Sequence, residues 1–469
     1  MDLRSVSRRN LVRVVVLCCV LGLFLPALGQ AVVPEESGTP GTVGLEPGTV
    51  ESEANGSTVV GIQGFHFEGQ GSTKKPARLV SVAPNGSTEW VYDGTSRGAV
   101  WFYDVDPLPN GNLLVVSTNP RGTTVFELDP ETRERAWTET FDIHDTHDVE
   151  KLPNGDLLVA NMRQWNESTG RSDDRVFVYN RSTEEIDWEW TFRNHYPEST
   201  DGGYSEDWTH VNDVERIAEG QYLVSPRNFD QAIVINRSTK EIDYQLGSDG
   251  DHSVMNEQHN PDWLLSEEGN PVILVADSEN DRVVEYEKRG DEWERVWEVG
   301  TDQLSWPRDA DRLPNGNTLI TDSLNHRVIE VTPEGRIVWE YYATWGPYDA
   351  ERVAHGGGSN GPTMSDQGVS GEYRIHGSAG LIAGTGDSMT FSAAVRNTFA
   401  GTPLSGVASE FATTWAHVTP WIRPVWMGPW AFVSAVLGAL VVLGWLVAEL
   451  VLARGRVLEA FERVRGSWG

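Results

Sequence analysis

The chain has 469 residues, and its 69 acidic against 37 basic side chains give a formal net charge of −32 at pH 7. Such a surface repels nucleic acid at ordinary salt, which excludes nucleic acid as a partner. Only five of the basic residues are lysine. An acid-rich, lysine-poor composition suits very high salt, where repulsion between like charges is screened, and we therefore expect an extreme halophile.

Residues 1–30 have the layout of a secretory signal peptide or a signal-anchor helix, because four arginines precede an apolar stretch that ends with small residues. The only two cysteines, Cys18 and Cys19, lie inside this stretch. The rest of the chain therefore has no disulfide, no thiol nucleophile and no thiolate metal site. Residues 31–56 are predicted to form a linker.

A sequence motif that contains a turn glycine then recurs at a spacing of roughly 40 to 65 residues. Its copies are DVDPLPNGNLLVVS from Asp104, DTHDVEKLPNGDLLVAN from Asp145, NDVERIAEGQYLVS from Asn212, PDWLLSEEGNPVILVAD from Pro261 and DADRLPNGNTLITD from Asp309. After each copy come a second apolar run and a third run, which often contains tryptophan. Four short strands per repeat are the pattern of a β-propeller blade.

The five repeats leave part of a blade at each end of this region. Residues 57–94 resemble the second to fourth strands of a blade, and WGPYDAERVAHGG, from Trp345, resembles a first strand. Joining both ends within one blade would close the ring and remove its open sheet edges. We therefore predict an all-β fold, a six-bladed β-propeller over residues 57–356 that is closed by a C-terminal strand in residues 345–356.

The chain after the propeller changes in character. Residues 357–425 are rich in Gly, Ser and Thr, and we expect a connector that is poorly structured or close to the membrane. Residues 426–453 are long and apolar enough for a transmembrane helix, and residues 454–469 form a basic tail. Because basic flanks stay inside, we expect a cytoplasmic tail and an extracellular propeller held at the cell membrane by both terminal helices.

The first strand of a propeller blade faces the central channel, and residues two apart on a strand point the same way. The residues eight and ten positions before each turn glycine therefore lie on the same face of the first strand. They include a basic group and an aromatic group. The basic group is His147, His210, His259 and Arg308, and the aromatic group is Trp101, Tyr103, Trp306 and Tyr348. We interpret them as a cationic pocket with aromatic walls at one end of the channel.

Three phrases around these residues resemble the arylsulfate sulfotransferases, six-bladed propellers that move a sulfuryl group between phenols without a nucleotide sulfate donor. The phrases are THDVEKLPNGDLLVA, HVNDVERIAEGQYLVSPRN and QHNPDWLLSEEGNPVILVADS. The most specific part is His-x-Asn followed by Ser-x-Arg and then Gln-His, here His210, Asn212, Ser225, Arg227, Gln258 and His259. The resemblance covers residues 57–356, and the terminal apolar segments suggest a haloarchaeal, membrane-anchored type.

The resemblance implies roles for four residues. His259 resembles the histidine that takes the sulfuryl group covalently, His210 and Arg227 resemble the residues that hold the sulfate oxygens, and His147 resembles the remaining pocket histidine. The partners would be a small-molecule aryl sulfate and a phenol in ping-pong order, and no cofactor or metal is expected. Our register argument adds a predicted substrate-binding set of Asn212, Arg308, Tyr103, Trp101 and Trp306.

The chemistry suits these side chains. Sulfuryl transfer should pass through a loose transition state with negative charge on the peripheral oxygens, which cationic donors stabilise. Arg227 would supply paired donors, and protonated His210 or His147 would add more. A neutral imidazole is a competent nucleophile, so a sulfated His259 would divide the transfer into two easier halves.

Two other functions remain open from the residues alone. Three convergent histidines are also a plausible catalytic zinc set, as in a propeller lyase. The fold also serves in non-catalytic binding or scaffold proteins tethered to a membrane. A scaffold has no need of basic residues that converge in its channel, which favours an enzyme.

Overall fold

The structure is a computed structural model, and it describes residues 8–32, 42, 44–66, 73–94, 97–377, 390–424 and 426–466. The chain divides into two compact units. One unit consists of Met1–Pro40, Thr390–Ala412 and Ile422–Gly469, and the other consists of Gly41–Met389 and Thr413–Trp421.

The first unit is helical. Its described elements are helices α1 (Arg8–Val32), α2 (Phe391–Phe399), the first part of α3 (Ser405–Ile422) and α4 (Pro429–Gly466). Asn10–Val32 and Pro429–Arg454 are long and apolar enough to cross a membrane. Within this unit the guanidinium of Arg13 donates to both carboxylate oxygens of Glu449, each at 2.7 Å. Both apolar terminal helices expected from the sequence are therefore present.

The second unit is a six-bladed β-propeller of antiparallel four-stranded sheets. We number the blades along the chain and give the strands of each from the channel outward. Blade 1 is Pro347–Arg352, Thr58–Ile62, Arg78–Val82 and Thr88–Asp93; blade 2 is Trp101–Pro107, Leu113–Asn119, Gly122–Leu128 and Arg135–Phe141; blade 3 is Val149–Lys151, Leu157–Asn161, Arg175–Asn180 and Glu185–Thr191. Blade 4 is Val211–Ala218, Gln221–Pro226, Gln231–Asn236 and Ile242–Gly247; blade 5 is His259–Leu265, Pro271–Asp277, Arg282–Arg289 and Glu292–Val299; blade 6 is Pro307–Arg312, Thr318–Asp322, Arg327–Val331 and Ile337–Ala343.

Blade 1 closes the ring in the way that the sequence predicts. Its inner strand, Pro347–Arg352, comes from the far end of the propeller and pairs antiparallel with Thr58–Ile62. The pairing places Val60 opposite Ala350 and Gly61 opposite Asp349. The predicted six-bladed fold with closure by a C-terminal strand is confirmed.

The burial of the strands follows their place in the blade. The second strands are buried almost throughout, whereas an outermost strand such as Arg135–Phe141 alternates between half-buried and exposed residues. The hydrophobic core lies between neighbouring blades, as where Leu158 and Trp190 of blade 3 meet Val224 of blade 4. Each blade therefore buries both faces and could not fold alone.

Two segments that we expected outside the propeller add strands to it. Leu45–Val50, from the predicted linker, pairs with the outermost strand of blade 6, and Gly371–Tyr373, from the predicted connector, pairs with that of blade 5. Both cover backbone groups that an outer edge strand would otherwise leave open. Shorter elements are the hairpins Phe65–His66 with Thr73–Lys75 and Trp165–Asn166 with Arg171–Ser172, and the 3₁₀ turns Phe192–Asn194, Thr200–Gly202, Arg227–Phe229, Ser278–Asn280 and Val353–His355.

Carboxylates line the inner strands on the turn side of the channel. Every blade supplies an aspartate seven residues before its turn glycine, and five blades supply another acid two residues later. They are Asp104, Asp148, Asp213, Asp262, Asp309 and Asp349, and then Asp106, Glu150, Glu215, Asp311 and Glu351. Burial raises the pKa of every one of them.

These acids join neighbouring blades. Asp349 of blade 1 accepts a hydrogen bond from the amide of Val105 in blade 2 at 2.8 Å, and Asp309 of blade 6 accepts one from Ala350 in blade 1 at 3.2 Å. The inner strand is an edge strand, so its amides need such acceptors. The acids therefore have a structural role in closing the ring.

A glycine-rich segment, residues 356–360, lies across this end of the channel. The amide of Gly358 donates to Glu351 of blade 1, and the hydroxyl of Ser359 donates to Asp262 of blade 5. A Cβ at Gly357 would lie 2.5 Å from a carboxylate oxygen of Asp106 in blade 2. Because three separate blades are touched, the segment covers the acidic end, and a side chain at position 357 would have to displace the carboxylate of Asp106.

Candidate functional site

The opposite end of the channel is built by the starts of the inner strands. Here the backbone leaves ideal strand geometry, since Asp145, His210 and Trp306 have φ of 58°, 41° and 52°. Left-handed backbone is costly for such side chains and is found where the surroundings enforce it, often at functional sites. These three residues occupy equivalent positions in blades 3, 4 and 6.

His259 is fully buried at the start of blade 5, and its ring is oriented by Ser278. Nδ1 of His259 lies 2.8 Å from Oγ of Ser278, and that hydroxyl lies 2.6 Å from the carbonyl oxygen of Pro307. The hydroxyl has one proton, which it donates to the carbonyl, so it accepts from Nδ1–H of the histidine. Nε2 of a neutral His259 therefore carries the lone pair.

The surroundings keep His259 neutral. Burial lowers its pKa well below the ordinary value of 6.5, and the positive charges of Arg308 and Arg227 lower the pKa further. The ring lies 6.1 Å from that of Trp306 and 5.8 Å from that of Tyr348, between centroids. The site thus holds an unprotonated, oriented imidazole among aromatic rings and two arginines.

His210 is held by an acid that comes three residues earlier. Its Nδ1 lies 2.9 Å from both oxygens of Asp207, and Asp207 also accepts from Nε of Arg163 at 2.9 Å. The hydrogen bonds from His210 and Arg163 lower the pKa of Asp207 despite its burial. Nε2 of His210 is buried without a hydrogen-bond partner among the described residues. That atom is available to a ligand in the channel.

His147 is 5 % exposed and lies at the centre of an aromatic group. Its ring is 3.9 Å from that of Tyr103 and 5.0 Å from that of His210, and its Nδ1 is 2.7 Å from the hydroxyl of Tyr348. Nε2 faces Asp145 at 3.8 Å. Burial lowers the pKa of His147 to about 3, although Asp145 acts in the opposite direction. The neutral ring can therefore accept a hydrogen bond from the hydroxyl of Tyr348.

The positive charge of the site comes from two arginines. The guanidinium carbon of Arg308 lies 4.1 Å from the ring centre of Trp306 and 4.7 Å from that of Tyr348, and Nη1 donates to Oε1 of Gln63 at 2.7 Å. Nε of Arg308 is buried without a partner among the described residues. Arg227 starts the 3₁₀ turn after the second strand of blade 4, and its Nη2 pairs with Glu257 at 3.0 Å.

The remaining predicted residues lie at the margin of this group. Trp101 reaches it through Tyr103, with ring centres 5.9 Å apart. The amide of Asn212 donates to the backbone carbonyl of Gln258 at 2.8 Å, which braces the residue just before His259. The predicted histidines, Arg308, Tyr103 and Trp306 are thus brought together, whereas Asn212 supports a strand and Trp101 is peripheral.

The charge of the free site differs from our expectation. We expected protonated His210 or His147 to hold sulfate oxygens, but burial lowers the pKa of both. The fixed charges of Arg227 and Arg308 are therefore the cationic donors of the free protein, and a histidine would gain a proton only when an anion offsets the cost of burial.

Sequence reasoning did not assign Ser278 or Asp207 to the site. Both act through a hydrogen bond to Nδ1 of a histidine, and neither lies on the inner strands that the register argument covered. The signal was present in ADSEN and EDWTH, where a hydroxyl or an acid comes close to the predicted histidines. Among the described residues, no group of three or more His, Cys, Asp or Glu is arranged to hold a metal ion.

Part of the chain matches one known protein family. Residues 64–269 match the family model described as Arylsulfotransferase (ASST), a stretch that includes His147, His210, Arg227 and His259. No curated protein matches the chain.

Several solved structures are similar at low identity. One is a protein of unknown function from Bacteroides caccae, with 14 % identity, a TM-score of 0.43, and coverage of 61 % of this chain and 93 % of that chain. Another is a catalytically inactive virginiamycin B lyase from Staphylococcus aureus with quinupristin, with 11 % identity, a TM-score of 0.39, and coverage of 68 % and 93 %. A periplasmic gluconolactonase from Pseudomonas aeruginosa has 14 % identity, a TM-score of 0.38, and coverage of 63 % and 85 %. Of these comparisons, the family match supports the arylsulfotransferase family and indicates a sulfotransferase enzyme.

Proposed function

We propose that the protein moves a sulfuryl group from an aryl sulfate to a phenolic acceptor through a covalent sulfohistidine at His259, without a nucleotide sulfate donor. The observation that carries this proposal is the hydrogen bond between Nδ1 of His259 and Ser278. It leaves the lone pair on Nε2 of a histidine whose pKa burial and two arginines lower. A nucleophile for an anionic ester needs this combination of neutrality and nearby positive charge.

In the first half-reaction, the lone pair on Nε2 of His259 attacks the sulfur. The N–S bond forms as the S–O bond to the aryl group breaks, and the electron pair of that bond leaves with the phenolate. Arg227 and Arg308 stabilise the charge on the three peripheral oxygens, because their N–H donors are fixed and always charged. His210 adds a contact through Nε2, which has no hydrogen-bond partner in the described part of the chain.

Tyr348 and His147 are the proton carriers in this mechanism. In this pair Tyr348 holds the proton 2.7 Å from Nδ1 of His147, and Arg308 beside its ring would stabilise the tyrosinate that remains when the proton leaves. A basic phenolate leaving group takes a proton from this pair. In the second half-reaction the acceptor phenol returns a proton to the pair and attacks the sulfur, and the N–S bond breaks with its electrons returning to Nε2.

The aromatic groups suit flat substrates. Tyr103, Tyr348 and Trp306 surround His147, Arg308 and His259 with ring faces and edges. Such rings can stack on a phenyl group beside the sulfate. Donor and acceptor would use the same space in turn, in agreement with a ping-pong order.

The test is an assay in molar salt with a chromogenic aryl sulfate and a phenol acceptor. We expect release of the donor phenol that depends on the acceptor, and an added sulfuryl group on the His259 peptide when the acceptor is omitted. His259→Ala should lose both, and His144→Ala, which removes an exposed loop histidine, should lose neither. Absence of turnover by the native protein over a broad panel of aryl sulfates would contradict the proposal.

We also propose that both terminal helices cross the cell membrane of a haloarchaeon, with the propeller outside and residues 454–469 inside. The support is the length and apolar character of the two helices and the arginines that flank them. A cysteine at exposed Ser199 should react with a membrane-impermeant maleimide on intact cells, whereas one at Ser467 should react only after lysis. The reverse pattern would overturn the orientation.

A further inference from the structure

One part of the chain beyond the blades packs at the site end of the propeller. Thr413–Trp421, the last turns of α3, belongs to the propeller unit. Nε2 of His417 lies 2.7 Å from Oδ1 of Asn325, and Nε1 of Trp345 donates to the carbonyl of Pro420 at 2.9 Å. The ring of Trp421 lies 5.1 Å from that of His326. This segment is therefore held by defined contacts and is not merely a connector.

Trp421 lies where the ring of site residues has a gap. Five blades place a side chain at the position ten residues before the turn glycine, namely Trp101, Asp145, His210, His259 and Trp306. Blade 1 has Gly346 there, with φ of 71°. A Cβ on Gly346 would lie 3.4 Å from the six-membered ring of Trp421. The indole thus borders the place of the missing side chain.

A short chain of contacts links Trp421 to the proposed sulfate site. The same Cβ position at Gly346 is 3.7 Å from Oε1 of Gln63, and that oxygen accepts the hydrogen bond of Arg308. His326 fixes the backbone between them, since its Nδ1 accepts from the amide of Gly346 at 3.2 Å. Trp421 and Gln63 therefore both border the space that Gly346 leaves open, and Gln63 contacts a guanidinium that the mechanism uses.

A cleft opens beside the same residues. It has a volume of about 370 Å³ and is lined by Ser278, Glu279, Asp281, Ser305, Trp306 and Leu324. Ser278 orients His259, and Leu324 is followed by Asn325, which contacts the segment of Trp421. The lining of the cleft thus includes a direct partner of His259 and the chain neighbour of a residue that contacts the segment.

We propose that Trp421 is a specificity-determining residue that forms an aromatic wall for the aryl group of the substrate, in place of the side chain that Gly346 lacks. This inference rests on the proposed function. The sulfate would lie at Arg308 and His259, and the aryl ring would extend towards the half-buried indole of Trp421. Stacking on an indole favours large flat groups, so the wall would select donors with extended aromatic systems.

The test compares Trp421→Ala and Trp421→Phe with Trp426→Ala, which removes an exposed tryptophan in the other unit. Donors are phenyl and naphthyl sulfates with nitro substituents. We expect Trp421→Ala to raise KM about threefold to tenfold for the naphthyl donor, less for the phenyl donor, with little change in kcat. Trp421→Phe should recover most of this loss, and Trp426→Ala should behave as the native protein.

A second readout does not depend on turnover. Irradiation of the native protein with an azidonaphthyl sulfate should label the peptide that contains Trp421, and excess unlabelled donor should suppress the labelling. Unchanged KM values for a folded Trp421→Ala protein, or labelling confined to Trp101 and Tyr103, would overturn the inference while leaving the transferase proposal intact. A native protein without turnover would overturn both.

Discussion

Ser278 accepts a hydrogen bond from Nδ1 of His259 at 2.8 Å while it donates to the carbonyl oxygen of Pro307 at 2.6 Å. This pair of bonds decides which nitrogen of the imidazole carries the proton. Ser278→Ala should leave His259 free to adopt the other tautomer and to rotate. We expect sulfuryl transfer to His259 to slow by about tenfold to a hundredfold, as when an outer partner of a working histidine is removed. Single-turnover release of the chromogenic phenol measures this rate.

Blade 6 offers a matched control for this substitution. Ser323 is the counterpart of Ser278, and its hydroxyl donates to the carbonyl of Pro347 at 2.7 Å. Ser323→Ala removes the same bond between blades, and among the described residues Ser323 holds no site histidine, so its transfer rate should be close to native. Equal losses in the two variants would mean that Ser278 acts only on stability.

The pKa of His259 sets the pH dependence of the first half-reaction. Because burial and two arginines lower this pKa well below 6.5, the proton is bound weakly and the nucleophile stays neutral as the pH falls. The rate of sulfation should therefore be nearly constant from pH 8 to about pH 6.5. It should fall only at a lower pH than the rate of an enzyme with an ordinary histidine nucleophile. Rapid-quench measurement of the sulfated protein between pH 5 and pH 9 tests this.

The sequence predicted the propeller because its signals are local and repeated. The turn glycines and alternating apolar runs recur in each blade, and the match between Trp345–Gly357 and the start of blade 6 predicted the closure. The same period of two also brought His147, His210, His259 and Arg308 to one face. These residues come from different blades, so only the ring geometry makes them neighbours.

The acidic end was missed because the inner strands are not regular. Alternation places Asp309 and Asp311 on the face opposite to Arg308, yet the register shifts between Pro307 and Asp309. Such a bulge adds one residue and turns the following side chains to the other face. Equivalent shifts occur between Val211 and Asp213 and in three more blades. Ser278 was missed for another reason, since it reaches His259 from outside the inner strands.

Arg308 should tolerate replacement poorly even by another cation. Its planar guanidinium lies between Trp306 and Tyr348 and donates to Gln63, whereas lysine offers a point charge without a paired donor face. We expect Arg308→Lys to raise KM for the aryl sulfate by about tenfold, the effect of one lost charged hydrogen bond. Initial rates over a range of donor concentrations give this value.

Arg352→Lys is the control for burial and aromatic contact. Arg352 is 1 % exposed, lies 5.0 Å from the ring centre of Trp339 and pairs with Glu330 at 2.8 Å. Its replacement should lower the melting temperature with KM unchanged. If Arg352→Lys raised KM as much as Arg308→Lys, general loosening of the propeller would explain both, and no sulfate contact could be assigned to Arg308.

The buried acids make stability depend on pH, and Asp309 shows the sign. Burial and the charge of Asp262 raise the pKa of Asp309 to about 7, whereas an unfolded aspartate titrates near 4. Between these values the folded state binds more protons, so this group destabilises the propeller as the pH rises from about 4 to about 7.

Asp309→Asn keeps an acceptor for the amide of Ala350 and removes the charge. We expect its melting temperature to exceed that of the native protein by about 2–4 °C at pH 8 and to match it near pH 4.5. Asp142→Asn, at an exposed loop, should change neither value. Molar salt screens a buried charge only weakly, so the difference between the two pH values should persist in the assay buffer. A gain that is the same at both pH values would show that side-chain polarity, not ionisation, accounts for the effect.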